Sequence, residues 1–552
     1  MTRSKFEKER WWNWNSGCHH SPQYTLACKT MELLSLDCKV LIMCPTSQCQ
    51  AASSSDVSKR EDKTNYNNSG SRAGGRRFLN KFLGWFQKIK VMDELISLGK
   101  ITVPLVISGL IFYSKSLISM FFLGHLGKIE LAGGSLAIGF ANITGYSVMK
   151  GLATGMEPIC CQAFGAKKWT VLSETFKQTL CLLFLGAIPI IVLWLNMEPI
   201  LLLIGQDKTI TLVAKVFLTY SIPELLAQAL LSPLRIFLRA QSLNLPFTIS
   251  ATWAMILHLP INYFLAIYLD LGVKGVALAS ACNTLNINLA LLVYLFFTET
   301  TIKPWDGQML TNSYRDWHSL VSLMIPSVAS VCLEWWWYEI MVVLCGLINN
   351  PETNMAAIGI LIQTTGLLYV FPHSLSASLS MRIGQELGAE APAQARQTTI
   401  TGLIIAMVCG ILAFTFTIAV KDVWGKLYTC EPEVLALTSV VLPILGFCEL
   451  GNCPQTAACG ILIGSARPNL GACINFCSFY LVGLPVSIFA AFGLKMGFLG
   501  LWFGLAAAQV TCVCMMICTL VFTDWKHQAK RAKELTQATR DHNNDLEANL
   551  LS

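Results

Sequence analysis

Long apolar stretches without a single charged residue dominate this chain and restrict what it can fold into. Seven of them have twenty or more residues and contain no Asp, Glu, Lys or Arg. A helix needs about 20 apolar residues to cross a bilayer, so each stretch is long enough to span a membrane. Five further stretches hold one or two ionisable residues, which brings the predicted total to twelve spans. The seven are 178–197, 240–269, 275–298, 353–381, 397–420, 468–494 and 496–523, and the five are about 101–123, 131–158, 213–234, 319–348 and 434–461.

The composition excludes an ordinary soluble protein. Hydrophobic residues make up 54% of the chain and charged residues 13%, whereas soluble domains carry about 25% charged residues. The surplus of apolar surface has to face lipid. The net charge of +7 lies mostly in residues 1–95, which hold fifteen Lys or Arg and nine Asp or Glu. A nucleic-acid binder would carry its basic residues on a folded domain, so no nucleic-acid partner is expected.

The two halves of the apolar region resemble each other. MEPICCQAFGA at 156–166 has a counterpart in LSMRIGQELGA at 379–389. Further pairs recur at offsets of 220 to 223 residues, which predicts two six-helix lobes. Six is an even number, so both lobes insert with the same orientation and their pseudo-twofold axis runs along the membrane normal. The pairs are Pro104 with Pro326, Gln162 with Gln385, Gly165 with Gly388, Ala166 with Ala389, Pro223 with Pro443, Pro246 with Pro468 and Gly275 with Gly497.

The distribution of basic residues predicts the orientation. Lys and Arg concentrate on the cytoplasmic side of membrane proteins, so both termini are expected there. Arg235 and Arg239, which follow the fourth predicted span, are assigned to a cytosolic connection. Residues 1–95 are also poor in aliphatic side chains, which predicts a disordered basic tail. The predicted fold is an all-α polytopic membrane protein. It has a cytosolic tail at 1–95, a six-helix lobe at 96–298, a cytosolic linker at 299–318, a second six-helix lobe at 319–523 and a cytosolic tail at 524–552.

Two carboxylates share one span in the sequence CLEWWWYE at 332–339. Ionisable residues inside a membrane are costly, so Glu334 and Glu339 are candidate functional groups. They lie about 140° apart around a helix, whereas Tyr338 shares the face of Glu334. Burial and a neighbouring carboxylate favour the protonated form of a carboxyl group, which lets it bind and release a proton near neutral pH. Aromatic walls with a carboxylate also suit an organic cation. The competing interpretation is an interfacial aromatic belt or lobe packing.

Other ionisable residues within the spans have weaker functional interpretations. Glu449, in GFCELGNCPQ at 446–455, is expected to act beside Glu334, or else to be a neutral, hydrogen-bonded group. Glu224 is expected to bond the backbone freed by Pro223, and Glu157 to form an interfacial pair near Lys167 and Lys168. Snorkelling or pairing is expected of Lys115 and Lys150, and structural roles of His258 and His373.

Several motifs are absent from the sequence. It holds no G-x-x-x-x-G-K-[ST] loop, no His/Cys/Asp cluster with metal-ligand spacing and no nucleophile elbow. We therefore expect neither an enzyme nor a cofactor nor a bound metal. Cysteines within the spans are interpreted as small buried hydrophobic residues.

The repeated motifs and the carboxylate motif at 332–339 together resemble those of the multidrug and toxic compound extrusion (MATE) family of transporters. CCQAFGA at 160–166 resembles its C-x-Q-A-x-G-A signature, and RIGQELGA at 382–389 its R-x-x-N-E-L-G-A phrase, with Gln385 where Asn is usual. CLEWWWYE resembles the seventh-span motif of the eukaryotic branch, and the chain looks most like plant detoxification-type members over about residues 95–525. The signature residues that carry over are Gln162, Gly165, Arg382, Glu386 and Gly388.

The resemblance implies two lobes in a V shape and efflux of organic compounds in exchange for protons or sodium. It implies substrate and proton handling by Glu334, Glu339 and Glu449, and the predicted substrate cavity adds Trp336, Tyr338 and Gln363. Many prokaryotic relatives have an aspartate in the first span. This chain has Lys115 there, so we place coupling in the C-terminal lobe.

We therefore predict a monomeric, proton-coupled antiporter that exports organic compounds from the cytosol, with hinge candidates Pro223, Pro326 and Pro443. Sodium coupling remains an alternative. So does a flippase for lipid-linked substrates, which should have a strongly basic cavity that this sequence lacks, and so does a receptor or scaffold signalling through its tail. The membrane is the plasma membrane or an endomembrane (vacuole, Golgi or late endosome). An acidic dileucine pattern at 547–551 is typical of endomembrane sorting.

Overall fold

The computed structural model describes residues 91–203, 206–299, 301–305, 314–348 and 350–537. The described part of the chain consists of helices and their connections. Nearly all of the predicted N-terminal tail, half of the predicted linker and the dileucine pattern lie outside the described residues.

The first lobe is built from ten helices, some of which join into longer spans. A π-helical turn at Asn142–Tyr146 joins α2 to α3, and another at Tyr263–Tyr268 extends α9. The helices are α1 (Val91–Leu126), α2 (Lys128–Ala141), α3 (Ser147–Thr154), α4 (Glu157–Gly165), α5 (Trp169–Leu195), α6 (Met197–Leu203), α7 (Lys208–Tyr220), α8 (Ile222–Ala240), α9 (Leu245–Asn262) and α10 (Val273–Phe297).

The second lobe has longer uninterrupted helices. Its fifth span is broken by π-helical turns at Phe476–Gly483 and Phe489–Gly493. The helices are α11 (Tyr314–Gly346), α12 (Pro351–Gly388), α13 (Pro392–Trp424), α14 (Pro432–Gly464), α15 (Pro468–Asn475), α16 (Leu484–Ile488) and α17 (Phe498–Val521). A last helix, α18 (Trp525–Gln537), follows the lobe.

The spans number six in each lobe, as predicted. Ten helices of the described chain are long and apolar enough to cross a bilayer, and α7 with α8, bent by 45°, forms an eleventh span. The segments α2 to α4 follow one another from Lys128 to Gly165 and supply the second span of the first lobe. Each lobe also has its own hydrophobic core. Trp194 is fully buried in the first core and Trp502 in the second.

The internal repeat extends to backbone conformations that the sequence hides. Left-handed residues occur at matched positions, such as Lys167 with Glu390 and Asp270 with Lys495. The predicted pairing of Gly275 with Gly497 is wrong by three residues. Gly275 packs against the backbone of Leu265 and Ala266, and Gly500 packs in the same way against Ala490 and Ala491. Gly497 instead matches Gly272, since both have positive φ and precede a helix.

The lobes are joined at the end of the molecule where α1 begins and α12 ends, here called the tail end. Gly165 of α4 lies against the carbonyl group of Gln385, and Gly388 of α12 lies against the carbonyl group of Gln162. Further from the tail end, α3 packs on α11, whereas α2 packs on α1 and α7 of its own lobe. The contacts between the lobes therefore extend from the tail end along α3 and α11, where Gly155 and Gly151 pack against the backbone of Met324 and Val328.

Helix α18 lies across the tail end and is called the C-terminal strap. It packs against α4 of the first lobe and against α12 and α13 of the second. Lys168 Nζ donates to the Thr536 carbonyl oxygen at 2.9 Å, and Lys533 pairs with Glu390 at 2.7 Å. The strap therefore connects the two lobes at the end where they meet.

Candidate functional site

A cavity of about 360 Å³ lies between the two lobes. Helices α3, α4 and α8 line it from the first lobe, and α11, α12 and α14 line it from the second. Its position at the lobe interface is the one where a rocking motion of the lobes would change access.

Glu334 is the predicted carboxylate that lines this cavity. It faces the hydroxyl group of Tyr369 and the ammonium group of Lys150. Glu449 lies behind it in the second lobe, 2% exposed, where Asn452 Nδ2 donates to its carboxylate at 2.9 Å. The charges of Glu334 and Glu449 both act on the hydroxyl group of Tyr338. The structure therefore brings Glu334, Glu449 and Tyr338 together.

The other predicted cavity residues lie outside the cavity lining. Glu339 is half-buried one and a half turns beyond Glu334 on α11. Trp336 is 40% exposed, and its indole Nε1 donates across the lobe interface to the Ile143 carbonyl oxygen at 3.2 Å. The carbonyl oxygen of Gln363 accepts from the Tyr113 hydroxyl group at 3.3 Å, again between lobes. Trp336 and Gln363 thus join the lobes beside the cavity.

Lys150 places a cation of the first lobe among side chains of the second. Its Nζ lies 3.3 Å from Nε2 of His373 and 5.0 Å from the ring centroid of Trp335. It also attracts the carboxylate of Glu334. A nitrogen of a neutral imidazole accepts a hydrogen bond from an ammonium group, so Lys150 links the lobes at the floor of the cavity.

Two arginines that the sequence analysis assigned to a cytosolic connection lie inside the protein. Helix α8 continues past the apolar stretch to Ala240, so Arg235 and Arg239 lie on it, four residues apart, and line the cavity with Lys150. The sequence analysis expected no strongly basic cavity, and the structure places three basic side chains in its lining beside Glu157 and Glu334. Arg239 Nη2 pairs with Glu157 Oε2 at 2.5 Å, so the partner of Glu157 is neither Lys167 nor Lys168. The spacing of four residues was the available signal, because it places both arginines on one helix face.

A second buried ion pair lies inside the first lobe, outside the cavity lining. Lys115 Nζ contacts Glu224 Oε1 at 2.5 Å, with side-chain exposures of 12% and 11%. The ammonium group also donates to the Ser280 carbonyl oxygen at 3.4 Å. Lys115 therefore pairs with a Glu, as one of its two expectations stated, and Glu224 bonds this cation rather than the backbone near Pro223.

The signature residues hold the tail end together. Gln162 Nε2 donates to the Gly464 carbonyl oxygen of the other lobe at 2.9 Å. Arg382 pairs with Glu386 at 2.8 Å and with Glu94 of α1 at 3.3 Å. The small size of Gly165 and Gly388 permits the close approach of α4 and α12 described above. These contacts assign the signature motifs to lobe contact rather than to the cavity.

The hinge candidates occupy two kinds of position. Pro223 stands at the start of α8, directly after the 45° bend that follows α7. Pro326 and Pro443 lie inside α11 and α14, where each removes one backbone hydrogen bond. Among the described residues, no three His, Cys, Asp or Glu side chains come together as a metal site.

Comparison with known proteins gives matches along most of the chain. The MatE family profile matches residues 104–264 and 326–489, once in each lobe. Protein DETOXIFICATION 53 of Arabidopsis thaliana is 56% identical over 453 residues, which cover 82% of this chain and 93% of that protein. Protein DETOXIFICATION 48 of the same plant is 52% identical over 455 residues, 82% of this chain and 85% of that protein.

Solved structures agree with this assignment. The crystal structure of the eukaryotic MATE transporter AtDTX14 has a TM-score of 0.77 and 32% identity, and the match covers 81% of this chain and 99% of that one. The Vibrio cholerae MATE transporter VcmN in the bent form shares the fold, with a TM-score of 0.69 and 19% identity over 81% of this chain and 99% of that one. The chain therefore belongs to the MATE family of membrane transporters, in its plant detoxification branch.

Proposed function

We propose that this transporter is a secondary active antiporter that exports small organic compounds from the cytosol in exchange for protons. The observation that carries the proposal is the position of Glu334, a carboxylate of the second lobe that lines the central cavity and faces Lys150 of the first. A group that can lose its charge at a lobe interface couples proton binding to lobe movement.

The coupling step follows from the charges at the interface. Ionised Glu334 attracts Lys150, which also donates to His373, and these interactions favour the conformation with the tail end closed. A proton bound to Glu334 removes that attraction, so the tail-end contacts part more easily. Loss of the proton restores the attraction and closes the tail end again. The tail end thus opens when Glu334 is protonated, and the opposite end opens when Glu334 is ionised.

Orientation gives this cycle its direction. We place both termini and the tail end in the cytosol, because the basic residues of the N-terminal segment favour that side. The described conformation has its tail end closed, and in the proposed cycle a proton from an acidic outer compartment binds Glu334 in this state. Release of the proton to the cytosol closes the tail end behind a bound substrate and carries it outward. Glu449 supports this role, since one proton relieves the repulsion between the two neighbouring carboxylates.

Three alternatives differ in the ion, the cargo or the class of protein. Sodium in place of the proton would require oxygen ligands beside Glu334. A flippase for lipid-linked substrates is favoured by one observation, the basic cavity wall formed by Lys150, Arg235 and Arg239. A receptor or scaffold would depend on residues 1–90, so it would lose its partners when that segment is deleted. A transporter would still move its substrate after the same deletion.

The test is substrate-driven proton movement in proteoliposomes that contain the purified protein and a pH-sensitive dye. A panel of organic cations and anions is applied under an imposed pH gradient, with sodium replacing potassium in a parallel set. Wild type should exchange at least one compound for protons, and Glu334→Gln should abolish the exchange. Glu198→Gln is the matched control, because Glu198 pairs with Lys215 outside the cavity. Wild-type transport by Glu334→Gln, with unchanged pH dependence, would overturn the proposal.

A further inference from the structure

Positive charge exceeds negative charge in the lining of the central cavity. Three cationic side chains, Lys150, Arg235 and Arg239, face two carboxylates, Glu157 and Glu334. Arg239 pairs with Glu157, and Lys150 faces Glu334. Neither Lys150 nor Arg235 forms an ion pair with another described residue. Lys150 Nζ lies 3.3 Å from His373 Nε2, whereas the contacts of the Arg235 guanidinium are to aromatic rings. A buried cation without an anionic partner is unfavourable unless something supplies the opposite charge.

Aromatic rings hold the Arg235 guanidinium in place without neutralising it. Its central carbon lies 4.8 Å from the ring centroid of Phe247 and 5.9 Å from that of Phe112. These two rings stack on each other with centroids 5.9 Å apart. The Nε atom of Arg235 is buried and has no hydrogen-bond partner in the part of the chain that the structure describes. A guanidinium supported on its face by rings presents its N–H edge to a ligand.

We propose that the cavity binds organic anions, and that Arg235 receives the anionic group of the substrate. A guanidinium binds a carboxylate through two parallel hydrogen bonds, which fixes the orientation of the ligand. One bound monoanion would bring the cavity to three positive and three negative charges. An organic cation would instead add a fourth positive charge. This inference rests on the proposed function, because it treats the cavity as the place where substrate is carried.

The rest of the cavity wall specifies the body of the substrate. The side chains of Tyr146, Met149, Leu231, Ile236 and Trp335 surround the space with aromatic and aliphatic surface. A volume of about 360 Å³ is at the small end of the range for ligand pockets in proteins. The substrate class is therefore a compact aromatic carboxylate, or a related acid with one or two rings, rather than a hydrophilic polyanion. This substrate class differs from the organic cation that the sequence CLEWWWYE at 332–339 suggested.

Equilibrium binding to the purified full chain tests the inference. The protein is placed in nanodiscs of phosphatidylcholine, which carries no net charge, and binding of radiolabelled 2-naphthoate is measured by scintillation proximity at constant pH without a gradient. Unlabelled 2-naphthoate, 2-naphthamide and 2-naphthylmethylammonium compete for the site. Naphthoate should compete best and the ammonium compound worst. Arg235→Gln should weaken naphthoate binding about tenfold, the effect of losing a charged hydrogen bond, and change amide binding less than twofold.

The control variants separate a binding role from a folding role. Arg235→Lys keeps the charge but not the two-pronged geometry, so it should bind naphthoate with intermediate affinity. Lys215→Gln, which removes a cation outside the cavity, should bind as wild type does. A second set of nanodiscs contains phosphatidylglycerol. Loss of naphthoate binding there would assign the anion subsite to a lipid headgroup and contradict the small-molecule class.

Three further results would overturn the inference. They are the absence of saturable naphthoate binding, competition by the ammonium compound equal to that of naphthoate, and unchanged naphthoate affinity in a folded Arg235→Gln protein. The result is independent of proton coupling, because no gradient is present. Anion binding without proton exchange in proteoliposomes would refute the antiporter and leave this subsite standing.

Discussion

The ammonium group of Lys150, on α3 of the first lobe, lies 3.3 Å from the Nε2 atom of His373, on α12 of the second. The same ammonium group attracts Glu334 on α11. A single side chain thus connects one lobe to two helices of the other, at the floor of the cavity. The helix α3 that carries it is only eight residues long and follows a π-helical turn, a feature often found at functional positions.

Removing this cation should loosen the lobe interface and stop exchange. Lys150→Met removes the hydrogen bond to His373 and the charge that attracts the Glu334 carboxylate, so we expect a loss of about 1–3 kcal/mol of stability, the cost of a buried polar group that loses a favourable interaction. The double variant Lys150→Met/Glu334→Gln removes both charges and should recover part of that loss. Thermal unfolding of the purified proteins in detergent ranks the stabilities of wild type, the single variants and the double variant. Additive effects of the two substitutions would contradict a direct coupling of Lys150 and Glu334.

The two glycines at the tail end should control how closely the lobes approach. A methyl group at Gly165 would collide with the carbonyl group of Gln385, and one at Gly388 would collide with that of Gln162. Gly165→Ala or Gly388→Ala should therefore separate the lobes there and favour the conformation open at the tail end. Hydrogen exchange followed by mass spectrometry should show faster exchange in 157–168 and 379–391.

Gly359→Ala is the matched control for this experiment. Gly359 lies on the same helix as Gly388, but a methyl group there meets no atom of the described residues within 4 Å. Alanine favours a helix by about 1 kcal/mol over glycine, so this variant should exchange no faster than wild type. Equal exchange in the Gly388→Ala and Gly359→Ala proteins would show that the tail-end contact does not set the lobe spacing.

Much of the architecture could be predicted from the sequence because hydrophobicity and repetition report it directly. Uncharged stretches of span length give the number of helices, and the paired motifs give the two lobes. The error at Gly275 has a physical reason. Two glycines, three residues apart, serve different purposes in each lobe, one at a positive φ before the helix and one against the preceding turn. Residue identity alone does not distinguish a conformational glycine from a packing glycine.

The cavity was predicted less well, because its charges come from both lobes. Glu334 was identified from the cost of a carboxylate in a span. Arg235 and Arg239 were excluded by the same logic, since charged residues at the edge of an apolar stretch read as the end of a span. Their burial depends on Glu157 and on the stacked rings of Phe112 and Phe247. Such pairings are long-range and do not follow from the local sequence.

The pair of Lys115 and Glu224 offers a test of where coupling occurs. Both side chains are mostly buried inside the first lobe. Breaking a buried pair by removing one partner costs about 3–5 kcal/mol, whereas replacing both charges is much less harmful. Lys115→Met should therefore unfold at a clearly lower temperature than wild type, and Lys115→Met/Glu224→Gln should regain most of the difference. If coupling lies in the second lobe, the double variant should still exchange substrate for protons. A folded double variant without proton exchange would place coupling in the first lobe instead.

The C-terminal strap should tighten when one of its charges is removed. Arg531 on the strap lies near Arg467, which connects α14 to α15, and burial together with the charge of Arg531 lowers the pKa of Arg467 to about 10. The two guanidinium groups repel each other. Arg531→Gln should therefore slow amide exchange in 525–537 by up to about threefold, the scale of a partly exposed charge contact.

A variant with the opposite sign checks that the strap is held by specific charges. Lys533→Gln removes the 2.7 Å ion pair with Glu390, so amide exchange in 525–537 should become faster. The change should be small, because both side chains of the pair are exposed to solvent. The strap contacts α4 of one lobe and α12 of the other. The contacts of the strap with at least one lobe therefore have to break before the tail end opens. Arg531→Gln should consequently lower the turnover of proton-coupled transport, and Lys533→Gln should raise it or leave it unchanged. Equal transport turnover in the two variants, despite opposite changes in amide exchange, would mean that the strap does not restrain the movement of the lobes.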